Sequence, residues 1–163
     1  MKRFILLLPL LSLSCLATEE SQNKTYSIGV GMGAMYSGIG ANLALVSEND
    51  LKYISAGCTA YGSMSGAECG LGIGWITTEL FDFGNNNHGF GVYAGILGKE
   101  NSYTYENNQY SNDENNVYGA GLSYTYFKSG INQSGLTLGL SIHATNADYD
   151  GNYGGFFQVG YQF

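Results

Sequence analysis

The stretch Phe157-Gln158-Val159-Gly160-Tyr161-Gln162-Phe163 decides the fold. Large apolar side chains fall at every second position, and successive side chains of a strand point to opposite faces. Phe157, Val159, Tyr161 and Phe163 therefore line one face, while Gln158, Gly160 and Gln162 line the other. Chain ends usually fray into solvent. An alternating aromatic strand at the end of a sequence instead predicts a segment fixed in a sheet.

The same period of two recurs upstream. Tyr153 to Phe163 is the last of eight predicted strands, preceded by Gly135 to Thr145 and Val117 to Lys128. Earlier come Thr25 to Met35, Gly38 to Ser47, Leu51 to Tyr61, Gly66 to Thr78 and His88 to Gly98. Leu136, Leu138, Leu140 and Ile142 share one face of the seventh, opposite Thr137, Gly139, Ser141 and His143. Ala34 falls in phase with Ile28, Val30 and Met32 on the first. Most of these segments approach the roughly 9–11 residues of a tilted transmembrane strand. Glycine is abundant (25 residues), but it alternates with apolar residues, which argues for strands over disorder.

Charge distribution supports this reading. Asp, Glu and Lys concentrate in connections and at strand ends, as at Glu48, Asp50, Glu79, Asp82 and the stretch 99–114. A cationic side chain at the midplane of a membrane barrel costs about 2–4 kcal/mol, and an acid less. An apolar outer face around a small, polar interior is the inverse of a soluble barrel. The predicted fold is an all-β, eight-stranded, antiparallel up-and-down transmembrane β-barrel.

The terminal alternation resembles the C-terminal assembly signal of Gram-negative outer-membrane β-barrels, which ends in an aromatic residue. Size and strand number resemble the small OmpA/OmpX-type barrels. The resemblance implies residence in the outer membrane among lipid and lipopolysaccharide. It also implies recognition of Phe157, Val159, Tyr161 and Phe163 by the barrel-assembly machinery. It is architectural and transfers no site residues. Lys2-Arg3, the apolar run Phe4 to Leu13 and Cys15-Leu16-Ala17 read as a cleaved signal peptide over 1–17. Residues 18–163 then form the barrel domain. A lipoprotein signal acylated at Cys15 is the competing reading.

The sequence beyond residue 17 carries thirteen acids against four lysines, a net of −9, and lacks arginine. This excludes nucleic-acid binding, which needs a basic footprint. Cys58 and Cys69 are an even pair in an oxidising compartment and read as a disulfide. A hairpin centred on residues 63–64 sets them opposite each other. Their spacing suits neither a redox CxxC nor a zinc site, so no metal or cofactor is expected, and a monomer is.

With both ends periplasmic, the outer connections are a tight turn at Met35-Tyr36-Ser37, a short loop near residue 64, a long loop from Lys99 to Asn116, and 146–152. Tyr26, Tyr61, Tyr118, Tyr124, Tyr126, Tyr153, Tyr161 and Trp75 suit aromatic girdles at the two interfaces. Tyr103, Tyr105 and Tyr110, in the long loop, are the residues expected to contact a partner. Eight strands enclose a lumen that side chains can fill. Either Tyr93, Leu97 and Phe156 fill it or a narrow space remains among its glycines.

One motif carries candidate chemistry. His143-Ala144-Thr145-Asn146 resembles the His-x-Ser-Asn segment of outer-membrane lipid A deacylases (PagL-like), where His is the base and Ser the nucleophile. The resemblance implies His143 as base and Thr145 as nucleophile. Thr replaces Ser, no matching orienting acid follows, and alternation turns both residues toward the lumen. His88 reads as a solvated turn residue, and Asp148 to Asn152 as a turn. The leading expectation is a non-enzymatic outer-membrane protein serving envelope integrity or surface interaction through its outer loops. The alternatives are a lipid A acyl hydrolase and a narrow barrel that binds or passes a small molecule.

Overall fold

A computed structural model describes residues 25–62, 66–81, 83–106, 109–147 and 152–163. The signal-peptide reading of 1–17, the 148–151 turn and the loop at 63–65 lie outside these residues. Side chains of 60–67 and 101–114, including those of Tyr61, Tyr103, Tyr105 and Tyr110, also lie outside them.

Eight antiparallel strands close into one barrel in sequential order. They are β1 (Thr25–Gly33), β2 (Gly38–Val46), β3 (Asp50–Gly62), β4 (Gly66–Thr77), β5 (His88–Glu106), β6 (Gln109–Phe127), β7 (Gly135–Thr145) and β8 (Tyr153–Gln162). Closure comes from β8 pairing with β1, Gly29 opposite Gln162 through Met32 opposite Val159. Over the length of this seam, closure removes the exposed edges that a flat sheet would leave.

The predicted parity holds around the wall. Ile39 is 73% exposed, Ile142 67% and Phe157 62%, and all three point outward. Val30, Leu43, Ile54, Leu71, Ile73, Val92, Leu122 and Leu140 share that outward face. Inward positions hold Ser27, Asn42, Ser55, Thr125, Thr137, Ser141, Gln158 and Gln162, all buried. An apolar core of Val46, Leu51, Ile76, Phe127 and Ile131 fills the end nearer the 47–49, 78–87 and 128–134 connections, here the turn end. Tyr53 and Tyr93 continue the core, with Leu97 and Phe156 packed against it.

Two connections differ from the sequence reading. Lys99 to Asn116 is not an open loop. Its strands continue pairing from Gly98 opposite Val117 to Glu106 opposite Gln109. The flanking strands stop at Gly95 (against β4) and Gly119 (against β7). Nine register pairs thus extend beyond the barrel as a two-stranded ribbon, about 30 Å long at the usual strand rise. The Met35-Tyr36-Ser37 turn is likewise not an external loop. Ala34–Tyr36 forms a 3-10 turn, η1, buried inside the lumen. Ala34 therefore leaves the outward set in which its phase placed it.

Candidate functional site: the plugged lumen and its outer vestibule

The inward turn depends on two glycines with positive φ. Gly33 (φ 113°) directs the chain off the wall, and Gly38 (φ 99°) returns it. Side chains rarely adopt such φ values. Space is also short at both positions. A Cβ at Gly33 would meet the Gln158 Cα at 2.8 Å, and one at Gly38 would overlap the Cys58 carbonyl.

A cross-strand row of glycines receives the turn. Gly160, Gly31, Gly40 and Gly57 lie opposite one another from β8 through β3. The Tyr36 ring lies where Cβ atoms of Gly31 and Gly160 would be, and its carbonyl occupies that space at Gly40 and Gly57. These glycines do more than let the wall curve: the space their missing side chains leave is taken by another part of the chain. Met35 and Tyr36 are almost fully buried there.

Hydrogen bonds tie the plug to the wall. The Tyr36 and Thr137 hydroxyls are 2.8 Å apart, and those of Ser37 and Ser55 are 2.7 Å apart. The Met35 N–H donates to Gln158 Oε1 (3.2 Å), and Asn42 Nδ2 donates to the Met35 carbonyl (3.3 Å). Gln158 Nε2 donates to Thr125 Oγ1 (3.0 Å). Next to this group, Gln162 Nε2 donates to Ser27 Oγ (2.9 Å) and Asn42 Oδ1 (3.1 Å). Buried polar groups need such partners, because leaving one unpaired costs about 1–3 kcal/mol. Gln158 and Gln162 are thus the structural reason for the polar face of the terminal strand.

Above the plug, on the ribbon side, His143 faces the lumen as its parity predicts. Its Nδ1 lies 2.9 Å from the Tyr93 hydroxyl, and its ring packs on Phe156 at 5.0 Å between centroids. The Thr145 hydroxyl accepts from the Ala147 N–H at 3.4 Å. The hydrogen bonds of His143 and Thr145 therefore run to separate partners. Both residues border an open vestibule of about 320 Å³, whose lining includes Thr59, Glu68, Leu97 and Phe156. Glu68 sits beside a bulge between Cys58 and Ala60, and its Oε2 accepts from the Lys99 N–H at 3.3 Å. The sequence reading missed Glu68 as a vestibule group because it fell within an otherwise apolar strand.

Cys58 and Cys69 are directly opposed on β3 and β4 and are joined in a disulfide. His88 is not a solvated turn residue. It opens β5, its Nδ1 lies 2.8 Å from the Tyr124 hydroxyl, and Phe83 and Tyr126 pack around it. With Phe81 and Phe90 these rings form a dense aromatic cluster on the rim at the turn end. Trp75 Nε1 donates to Asp50 Oδ1 (2.8 Å), which fixes a second rim aromatic. A separate open cavity of about 640 Å³ lies between the turns, lined by Asn49, Glu79, Asn85, Asn86 and Asn132 among others. Among the described residues, no three His, Cys, Asp or Glu side chains converge as a metal site. Comparison of the chain with protein-family models, curated proteins and solved structures yields no match.

Proposed function

We propose that this protein is a non-enzymatic outer-membrane barrel that presents its β5–β6 ribbon for interaction outside the cell. The observation that carries the reading is the continuous apolar outer surface of a closed barrel. Large hydrophobic side chains stand exposed on every strand, Ile28 on β1 and Phe157 on β8 among them. Monomeric soluble proteins rarely expose apolar patches beyond a few hundred Å². Hydrocarbon is the solvent in which such a wall is stable, and closure lets the paired strands satisfy their backbone hydrogen bonds there.

Three further features support this role. The rim aromatics suit the two lipid–water interfaces. The plug and the apolar core leave little room for conduction through the lumen. The projecting ribbon extends well past the rim, and structures held on a rigid scaffold commonly carry recognition. Lipopolysaccharide is then the surrounding lipid, and Phe157, Val159, Tyr161 and Phe163 form the face offered to the assembly machinery.

The reading is tested in cells by fractionation, gel migration of boiled and unboiled samples, and protease added outside intact cells. Recovery in the outer-membrane fraction, heat-modifiable migration and cleavage within 98–117 are expected. A soluble protein with unchanged migration on boiling would sink the proposal.

A further inference from the structure

Withdrawing the first hairpin's turn into the lumen also lowers the wall. Strand β8 pairs with β7 along its whole length, from Tyr153 to Gln162, but with β1 only from Val159 to Gln162. Among the described residues, no strand pairs with Tyr153–Gln158 on the β1 side. Across the gap, β2–β3 pairing ends at Ile39 opposite Cys58, while β3 runs on to Gly62. A notch therefore lies above η1, flanked by β3 and β8. The vestibule lining includes Thr59 from one flank and Phe156 from the other, so the notch borders the vestibule.

The chemistry at this notch is two-sided. The wall beneath and beside it is apolar, with Ile39, Phe157 and Tyr153 strongly exposed. The vestibule presents a carboxylate (Glu68), an imidazole (His143) and two hydroxyls (Thr59, Thr145) between the apolar surfaces of Leu97 and Phe156, with Lys99 also on its lining. Alternate backbone groups along the open edge of β8 also point into the notch. Hydrocarbon cannot satisfy such groups, and each left unpaired in lipid costs several kcal/mol. A polar group linked to an apolar chain satisfies both sides of the notch. At about 320 Å³, the space is at the small end of ligand sites, which run from about 300 to 1,000 Å³.

We propose that the vestibule takes the polar head of a single-chain amphiphile, which enters sideways over the first hairpin and lays its chain along the outer wall. This rests on the membrane reading above. Because the plug lies below the vestibule, the amphiphile cannot pass on through the lumen. A six-residue edge presents backbone groups outward from only alternate residues, which makes it a short template for a second strand.

The experiment places the full chain in phosphatidylcholine nanodiscs with a trace of lysophosphatidylcholine carrying a diazirine near the head end of its acyl chain. After photolysis, adducts are mapped by mass spectrometry. Adducts are expected on the outward wall and on the vestibule segments around Leu97, His143 and Phe156. Gly98→Trp projects a large side chain into the vestibule from a position where a Cβ would meet only Glu68 Oε2, at 3.6 Å. It should abolish the vestibule adducts and leave the wall adducts intact. Thr145→Trp, checked like the first variant for heat-modifiable migration, serves as a second filling variant. Wall adducts without vestibule adducts in the unmodified protein overturn the proposal alone. Cross-links between two copies through 153–158 overturn it in favour of strand pairing. Absence of adducts even from the wall overturns the membrane reading and the proposal together.

Discussion

The hydroxyl of Tyr36 lies 2.8 Å from that of Thr137, so the turn of the first hairpin is bonded to the seventh strand across the inside of the barrel. The β1–β8 seam has four register pairs, fewer than any other strand pair in the barrel. The plug reinforces it from within, since Met35 and Tyr36 reach β8 and β7 while still attached to β1 and β2. Closure is thus secured by side chains as well as by the ladder.

Removing one hydroxyl leaves its partner buried and unpaired, because Thr137 is 1% exposed. Tyr36→Phe should therefore cost about 1–3 kcal/mol in urea unfolding of the reconstituted barrel. Adding Thr137→Val removes the stranded partner and should recover most of that loss, a coupling that a double-mutant cycle measures. Tyr36→Ala removes the ring as well and should cost about 3–5 kcal/mol. Equal destabilisation by Tyr36→Phe alone and by the double variant would disprove the coupling.

The glycine row makes a sharper demand. A Cβ on Gly160 would overlap the Tyr36 hydroxyl, and one on Gly31 would lie 2.7 Å from the Tyr36 ring. Gly160→Val should destabilise the barrel by about 1–3 kcal/mol through overpacking. The Cβ of Gly98→Ala would meet only Glu68 Oε2, at an ordinary contact distance of 3.6 Å, and the variant should stay within about 0.5 kcal/mol of the parent. Thermal titration of gel migration measures both, and similar shifts for the two variants would show that the row is not the seat of the plug.

The contrast between Gly160 and Tyr36 shows how far the sequence could be read. Parity of the wall was legible because burial alternates with period two, so Leu136 to Ile142 and Phe157 to Phe163 sort themselves into two faces. The Cys58–Cys69 pairing was legible because hairpin register is a local property. The plug was not, because Ala34 keeps the phase of Met32 and nothing local shows that Gly33 turns the chain inward. The available signal was indirect: a row of lumen-facing glycines on neighbouring strands leaves a volume that something must fill. The ribbon was missed for a different reason. Residues 99–116 are rich in Asn, Ser, Tyr and acids, so its strands lack the apolar alternation by which the others were found. His143 was placed correctly on the lumen face, but its Tyr93 partner, fifty residues away, depends on barrel closure.

The Cys58–Cys69 bridge adds a covalent link at the last pair before the β3 bulge. It closes a short loop, with a sequence separation of 11 residues, so the chain-entropy effect is at most about 2–3 kcal/mol. Pairing resumes beyond it, with Ala60 opposite Glu68. Cys58→Ala with Cys69→Ala should therefore lower the urea midpoint without changing the migration of the folded species. Loss of the folded species would mean that the bridge is required for closure and does more than constrain the unfolded chain.

The outward wall supplies the last and most discriminating prediction. Leu140 is 59% exposed and stands on the outward face of β7, between Leu138 and Ile142. In water an exposed Leu→Arg change would be close to neutral, within about 0.5 kcal/mol. In a bilayer the same change places a cation among acyl chains and should cost about 2–4 kcal/mol at the midplane, falling toward the interfaces. Lys128, just past the end of β6, marks the level where a cation already stands exposed. Leu136→Arg, nearer that level, should cost less than Leu140→Arg. Refolding both variants into lipid vesicles and titrating with urea gives this depth profile directly. Equal, negligible costs at the two positions would mean that the apolar wall faces something other than lipid.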